Sequence, residues 1–151
     1  MKHGIKRIYK VLYNITEICY EKGVRYAVLS PGSRSGPIAL SFMRNEKIKC
    51  YVISDERSAA YIALGISLQT KTPVALVCTS GTAALNYAPA VTEAYFQRVP
   101  LIVFTADRPS EWIGQGENQT IFQQKIYEPN ILKNYQINIF YEDDDAERDA
   151  Y

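Results

Sequence analysis

Four short apolar segments, each too brief and too β-branched to form a helix, recur along the chain at Tyr26–Leu29, Cys50–Ile53, Val74–Val77 and Leu101–Phe104. Between them run stretches with helical spacing. Strand and helix in alternation, joined by short loops, give right-handed β-α-β units and an open, mostly parallel α/β sheet with helices on both faces. Continuously apolar strands of this kind are expected to be buried on both faces. Ile5, Ile8, Leu12, Ile15 and Cys19 form an opening amphipathic stripe that stops at Gly23. Pro37 to Glu46 predicts a second helix, with proline in its first turn. Glu56 to Gln69 predicts a third, packing through Ala59, Ala60, Ile62, Ala63, Leu64 and Ile66. Pro89 divides the stretch from Gly81 to Gln97 into a short turn and a helix that starts near the proline. After Ala106 a polar loop leads to a short helix, and a last strand is expected at Tyr135 to Tyr141.

At 151 residues with 47% hydrophobic content, the chain suits one domain able to bury a core without disulfide or metal. Cys19, Cys50 and Cys78 form no C-x-x-C pair and sit in apolar sequence, as buried reduced thiols of a cytoplasmic protein do. No window is long and apolar enough to predict a signal peptide or membrane span. The only histidine is His3, which argues against a His-containing triad and most zinc hydrolases. The net charge of +1 conceals an asymmetry. Residues 141–151 hold six acids against one base, a net of −5, which leaves +6 on residues 1–140. Such an acidic end reads as a solvated tail. Lysines and arginines in the body are scattered, so a nucleic-acid partner is not expected.

In open parallel sheets, ligands bind outside the carboxyl ends of the strands. Here those ends are Ser30 to Gly36, Ser54 to Arg57, Thr79 to Thr82 and Thr105 to Arg108. Gly32-Ser-Arg-Ser-Gly36 carries Arg34 where a nucleophile elbow needs serine. Gly114-x-Gly116 lacks both a preceding strand and a third glycine, and no P-loop is present. What remains are acids, arginines and helix starts. Asp55 and Glu56 suit a helix N-terminus, and on the residues alone that structural role for Glu56 stands ahead of catalysis. Arg34 and Arg108 fit an anionic ligand and internal salt bridging equally well.

The runs SPGSRSGPIAL, SDERSAAYIALGISLQTKTPVALVCTSGTAALNYAPAVTEAYFQRVPLIVFTADRP and GENQTI resemble the N-terminal pyrimidine-binding domain of thiamine-diphosphate enzymes. The likeness spans about Ile5 to Tyr135. It narrows, through the SPGSRS, TADRP and ENQ segments, to the menaquinone-pathway synthases of that family. These decarboxylate 2-oxoglutarate and add the resulting succinyl-semialdehyde carbanion to isochorismate. The resemblance implies that Glu56 hydrogen-bonds the aminopyrimidine of the cofactor and promotes the imino form that takes the thiazolium C2 proton. It implies that Thr79, Ser80, Gly81 and Thr82 lie beside that ring. By the same likeness Ser33, Arg34, Arg108, Asn118 and Gln119 line the site for the two carboxylate substrates, which agrees with the anion reading of the arginines.

None of the eight glycines belongs to the Gly-Asp-Gly that helps hold Mg²⁺ (or Mn²⁺) in the family's diphosphate-binding domain. The likeness therefore implies an isolated fragment without activity: a pyrimidine-binding domain over 1–140, and an acidic tail or linker start over 141–151. It also implies a homo-oligomer, dimer or tetramer, with sites formed between subunits. Two other readings stay open: another thiamine-diphosphate decarboxylase or acetolactate-type synthase, and a non-catalytic α/β module that binds small anions.

Overall fold

The computed structural model describes residues 2–137 apart from 110, 111, 114 and 117, with side chains described from Lys10 onward. Helix α1 (Lys2–Glu21) leads to β1 (Tyr26–Leu29), α2 (Gly36–Arg44), β2 (Lys49–Val52), α3 (Glu56–Thr70) and β3 (Val74–Cys78). Two helices, α4 (Thr82–Leu85) and α5 (Ala88–Gln97), precede β4 (Leu101–Thr105). The strands form one all-parallel sheet in the order β2-β1-β3-β4, with Tyr26 opposite Lys49 and Val74, and Val74 opposite Leu101. The expected α/β architecture is present, and all four strands fall within a residue of their predicted bounds.

Successive strand residues face opposite sides of a sheet, and the core divides accordingly. Ala27, Leu29, Ala75 and Val77 pack with Cys19 and Phe42 under α1 and α2. Val28, Val74, Leu76 and Cys78 pack with Ala59, Ala60, Ala63, Ala90 and Val91 under α3 and α5. Alanines on this second face let α3 lie close to the strands. Phe42 on α2 meets Phe104 on β4 in a tilted pair with centroids 5.6 Å apart, a geometry that adds about 0.5–1.5 kcal/mol to the area the rings bury.

Only the two central strands are buried on both faces. β2 and β4 stand at the edges, where Val52 is exposed and every residue of β4 is half-buried. An edge strand lacks a neighbour whose helix would cover it, and an apolar run alone does not distinguish edge from centre. Ile62 is likewise exposed, while Ala59, Ala60, Ala63 and Leu64 form the buried stripe of α3 and Ile66 is half-buried against the core. Cys19 and Cys78 are buried, Cys50 half-buried, and all three are free thiols.

Pro89 sits in the first turn of α5, as its fixed φ favours. The short helix expected at the end of the polar loop is absent among the described residues, where turns occupy residues 124–129; only Trp112, within the loop, has 3₁₀ geometry, its N–H donating to the Pro109 carbonyl at 3.0 Å. Gln119 and Lys125 take left-handed backbone angles, φ 59° and 62°, which interrupt a helix there. Tyr135 to Ile137 belong to no strand, and the rest of the expected last strand, with the acidic end, lies outside the described residues. No helix among the described residues is long and apolar enough to cross a membrane.

Candidate active site

Strand order reverses between β1 and β3, since the chain leaves β1 toward β2 and returns across to β3. A crevice opens at such a switch point, outside the carboxyl ends. The loops after β1 and β3 flank it and touch directly. A Cβ on Gly32 would overlap the Thr79 side chain, so only glycine allows SPGSRS to approach the TSGT loop this closely. Tyr87, fully buried, donates from its hydroxyl to the Val77 carbonyl at 2.8 Å and reaches Ser30 Oγ at 3.4 Å, which holds the ends of β1 and β3 together. Burial pushes the Tyr87 phenol far up and keeps it a neutral donor.

Glu56 opens α3. Asp55 caps the helix in extended conformation, its carboxylate accepting from the Ser58 N–H at 2.7 Å. Hydrogen bonds from Ser58 hold the Asp55 carboxyl below the usual carboxylate range. This cap makes Glu56 the first helical residue, half-buried and close enough to the end of β3 to act on Cys78. Its charge reaches the buried Cys78 thiol, whose pKa is pushed up to about 12, chiefly by burial and additionally by Glu56, against a lowering hydrogen bond with Tyr87. Asp55 fills the capping role, and Glu56 is the acidic residue of the first turn, where the helix dipole favours its charge. The Glu56 carboxylate makes no hydrogen bond or ion pair among the described residues, so it remains available to a ligand.

Gly81 is buried with φ 79° and ψ −137°, close to a region that side-chain-bearing residues scarcely enter. A Cβ there would overlap the Gln119 carbonyl oxygen. The segment around Asn118 and Gln119 is therefore laid against the TSGT loop through backbone. Arg108 donates from Nη2 to the Asn118 carbonyl, which ties the end of β4 to the same segment.

The structure thus brings Thr79, Ser80, Gly81, Gln119, Asn118 and Arg108 into one cluster, with Glu56 at its β3 side. Ser33 and Arg34 are exposed on the turn after β1, anchored by buried Ser35, whose hydroxyl donates to the Gly32 carbonyl at 3.1 Å. Among the described residues no hydrogen bond or ion pair joins Arg34 to the cluster or to any acid. The internal salt bridge weighed for Arg34 is absent there, while the Arg108 guanidinium is engaged by a carbonyl. Thr82 is exposed at the start of α4. Tyr87 and Gln123 went unnoticed in the sequence. Tyr87 carried a signal, a hydroxyl-bearing ring within TSGTAALNY; Gln123 carried none, being one of several glutamines in a polar run.

Residues 10–126 match the family described as thiamine pyrophosphate enzyme, N-terminal TPP binding domain. The chain belongs to that family. Within this thiamine pyrophosphate enzyme family it is similar to proteins named 2-succinyl-5-enolpyruvyl-6-hydroxy-3-cyclohexene-1-carboxylate synthase. It is 51% identical to that of Cytophaga hutchinsonii over 94% of this chain and 25% of the relative. Identity is 50% to that of Flavobacterium psychrophilum, over 80% and 22%, and 54% to that of Porphyromonas gingivalis, over 79% and 20%. The chain spans about a quarter, or less, of the length of these relatives.

Proposed function

We propose that this chain is the pyrimidine-binding domain of a thiamine-diphosphate-dependent synthase that joins decarboxylated 2-oxoglutarate to isochorismate, forming a carbon–carbon bond in menaquinone biosynthesis. Roughly 50% identity to several synthases of one name supports the reaction. The single observation that carries the chemistry is the unbonded Glu56 carboxylate at the first turn of α3, beside the end of β3 at the switch point. Its surroundings fit an aminopyrimidine. The half-buried Glu56 carboxylate can share a proton with a ring nitrogen, next to the TSGT loop and the buried thiol of Cys78.

Thiamine diphosphate, when bound, would supply a thiazolium whose deprotonated C2 serves as nucleophile and electron sink for decarboxylation. Glu56 holds a proton at the ring nitrogen. Arg34, exposed and unneutralised, presents a guanidinium fork to a substrate carboxylate, and Ser33 adds a hydroxyl donor. Arg108, Asn118 and Gln119 orient the second carboxylate from the opposite lip of the crevice. Among the described residues no three His, Cys, Asp or Glu side chains gather as a metal site. The divalent ion, Mg²⁺ or Mn²⁺, is assigned on this reading to a diphosphate-binding domain of the full enzyme, which acts as a cytoplasmic homo-oligomer.

The test is Glu56→Gln in the full-length enzyme. Exchange of the C2 proton and turnover with 2-oxoglutarate and isochorismate are expected to fall by about 10²–10⁴-fold, with the unfolding midpoint unchanged. Exchange at the wild-type rate would overturn the assignment. Turnover of pyruvate in preference to 2-oxoglutarate would instead select the acetolactate-type reading.

A further inference from the structure

Gln123 lies outside the SPGSRS, TSGT, TADRP and ENQ segments, yet only 8% of it is exposed and it spans the ends of two strands. Its Oε1 accepts from the Gly81 N–H at 2.7 Å. Its Nε2 donates to the Ala106 carbonyl at 2.6 Å and to Thr105 Oγ1 at 3.1 Å. A backbone N–H can only donate and a carbonyl can only accept, so this network fixes which end of the amide is oxygen. No other side chain of similar length offers an acceptor at one corner and two donors at the other.

The two ends of the amide serve different loops. The oxygen satisfies the buried N–H of Gly81, in the TSGT loop whose left-handed turn leaves room for the Gln119 carbonyl. The nitrogen satisfies the carbonyl of Ala106, the residue from which the chain passes to Asp107 and Arg108. We propose that Gln123 is a positioning residue that fixes the cofactor-facing loop Thr79–Thr82 through its carbonyl and, separately, the substrate-facing run Thr105–Arg108 through its NH₂. This assignment rests on the function proposed above.

Two variants of the full-length enzyme separate those roles at pH 8. Gln123→Glu keeps an acceptor for Gly81 but replaces both donors with a carboxylate oxygen facing the Ala106 carbonyl. Gln123→Met fills the same space and removes both functions. For Gln123→Glu, half-saturation by thiamine diphosphate should stay within about twofold of wild type, while KM for isochorismate rises about tenfold or more, the usual consequence of stranding a buried polar group. For Gln123→Met both constants should rise, each by about tenfold.

A split in Gln123→Glu that disappears in Gln123→Met supports the proposal, because general damage to the fold would move both constants together in both variants. Equal shifts of both constants in Gln123→Glu, or no shift in a folded Gln123→Met, would overturn it. If Gln123→Met does not fold, the presence or absence of the split in Gln123→Glu decides alone. A wild-type enzyme that neither binds thiamine diphosphate nor condenses the two substrates overturns the functional reading itself; an active wild type with unsplit variants overturns only the role of Gln123.

Discussion

The two lips of the crevice are built in opposite ways. On the β3 side the contacts are close: the Gly81 backbone lies against the Gln119 carbonyl, the Thr79 side chain lies against Gly32, and the Gln123 side chain bridges to the end of β4. On the β1 side, Ser33 and Arg34 project from a turn whose anchors are elsewhere, at Ser30 and Ser35. The packed lip thus fixes the position of the groups it carries, whereas the open lip offers Ser33 and Arg34 free of such contacts. A ligand needs both, because exposed arginines orient an anion only if their frame is rigid. The lips should respond differently to substitution, with the packed one losing stability and the open one losing only binding.

The largest effect is expected at Gly81. Gly81→Ala forces a Cβ into the Gln119 carbonyl and holds alanine at φ 79°, so overlap and backbone strain add. A loss of about 3 kcal/mol or more is expected, read as a fall in the midpoint of chemical unfolding. A variant as stable as wild type would mean that the 118–123 segment is not fastened there, and the contrast between the lips would fail.

Gly32→Ala comes next. Its Cβ would meet the Thr79 side chain, within 2.7 Å of Cγ2, at a cost of about 1–3 kcal/mol. Thr79→Gly should relieve that overlap, so the double variant is expected to be more stable than the sum of the two single changes predicts. Strict additivity in the double-mutant cycle would show that the β1 and β3 loops are not packed through this pair.

How far each lip could be read from sequence follows from the same contrast. The open lip was legible. Arg34 and Ser33 announce themselves by residue type, and their surroundings alter them little; the Asp55-Glu56 helix start, though on the β3 side, is equally plain. Strand positions were legible too, because apolar β-branched runs between turn residues have few alternatives. The packed lip was not. Nothing local states that the missing Cβ of Gly81 is replaced by an oxygen 38 positions later in the chain, or that Gln123 rather than its neighbour Gln124 turns inward. These are tertiary facts. Edge placement of β2 and β4 was hidden for the same reason, since strand order depends on crossovers rather than on any strand's own composition.

Arg108 both fastens the packed lip and faces the substrates, and Arg108→Ala sharpens the comparison. Losing its bond to the Asn118 carbonyl should cost about 1 kcal/mol in addition to weakening substrate binding. A smaller effect is expected at the cap of α3. The Asp55 carboxyl titrates below its ordinary value in the folded chain, so its contribution is complete above the unfolded pKa, about 3.9, and is lost as pH falls through the lower folded value. Asp55→Asn keeps an oxygen for the Ser58 N–H and should flatten that acid-side loss. An unchanged acid unfolding profile would remove the cap from the account of how Glu56 is held.

Arg34→Ala should have the least effect on the fold and serves as the strictest test of the contrast. The side chain is exposed and, among the described residues, pairs with no acid, so truncation removes no packed atoms and strands no buried partner. Stability should remain within about 0.5 kcal/mol of wild type. Binding should not. A guanidinium that meets a carboxylate through two charge-assisted hydrogen bonds contributes about 1.5–3 kcal/mol, so KM for one of the two acids should rise by about 10–150-fold. Should Arg34→Ala instead destabilise the chain as much as Gly32→Ala, the residue is part of the frame. The β1 lip would then be built like its neighbour, and the carboxylate would have to be held by Arg108 alone.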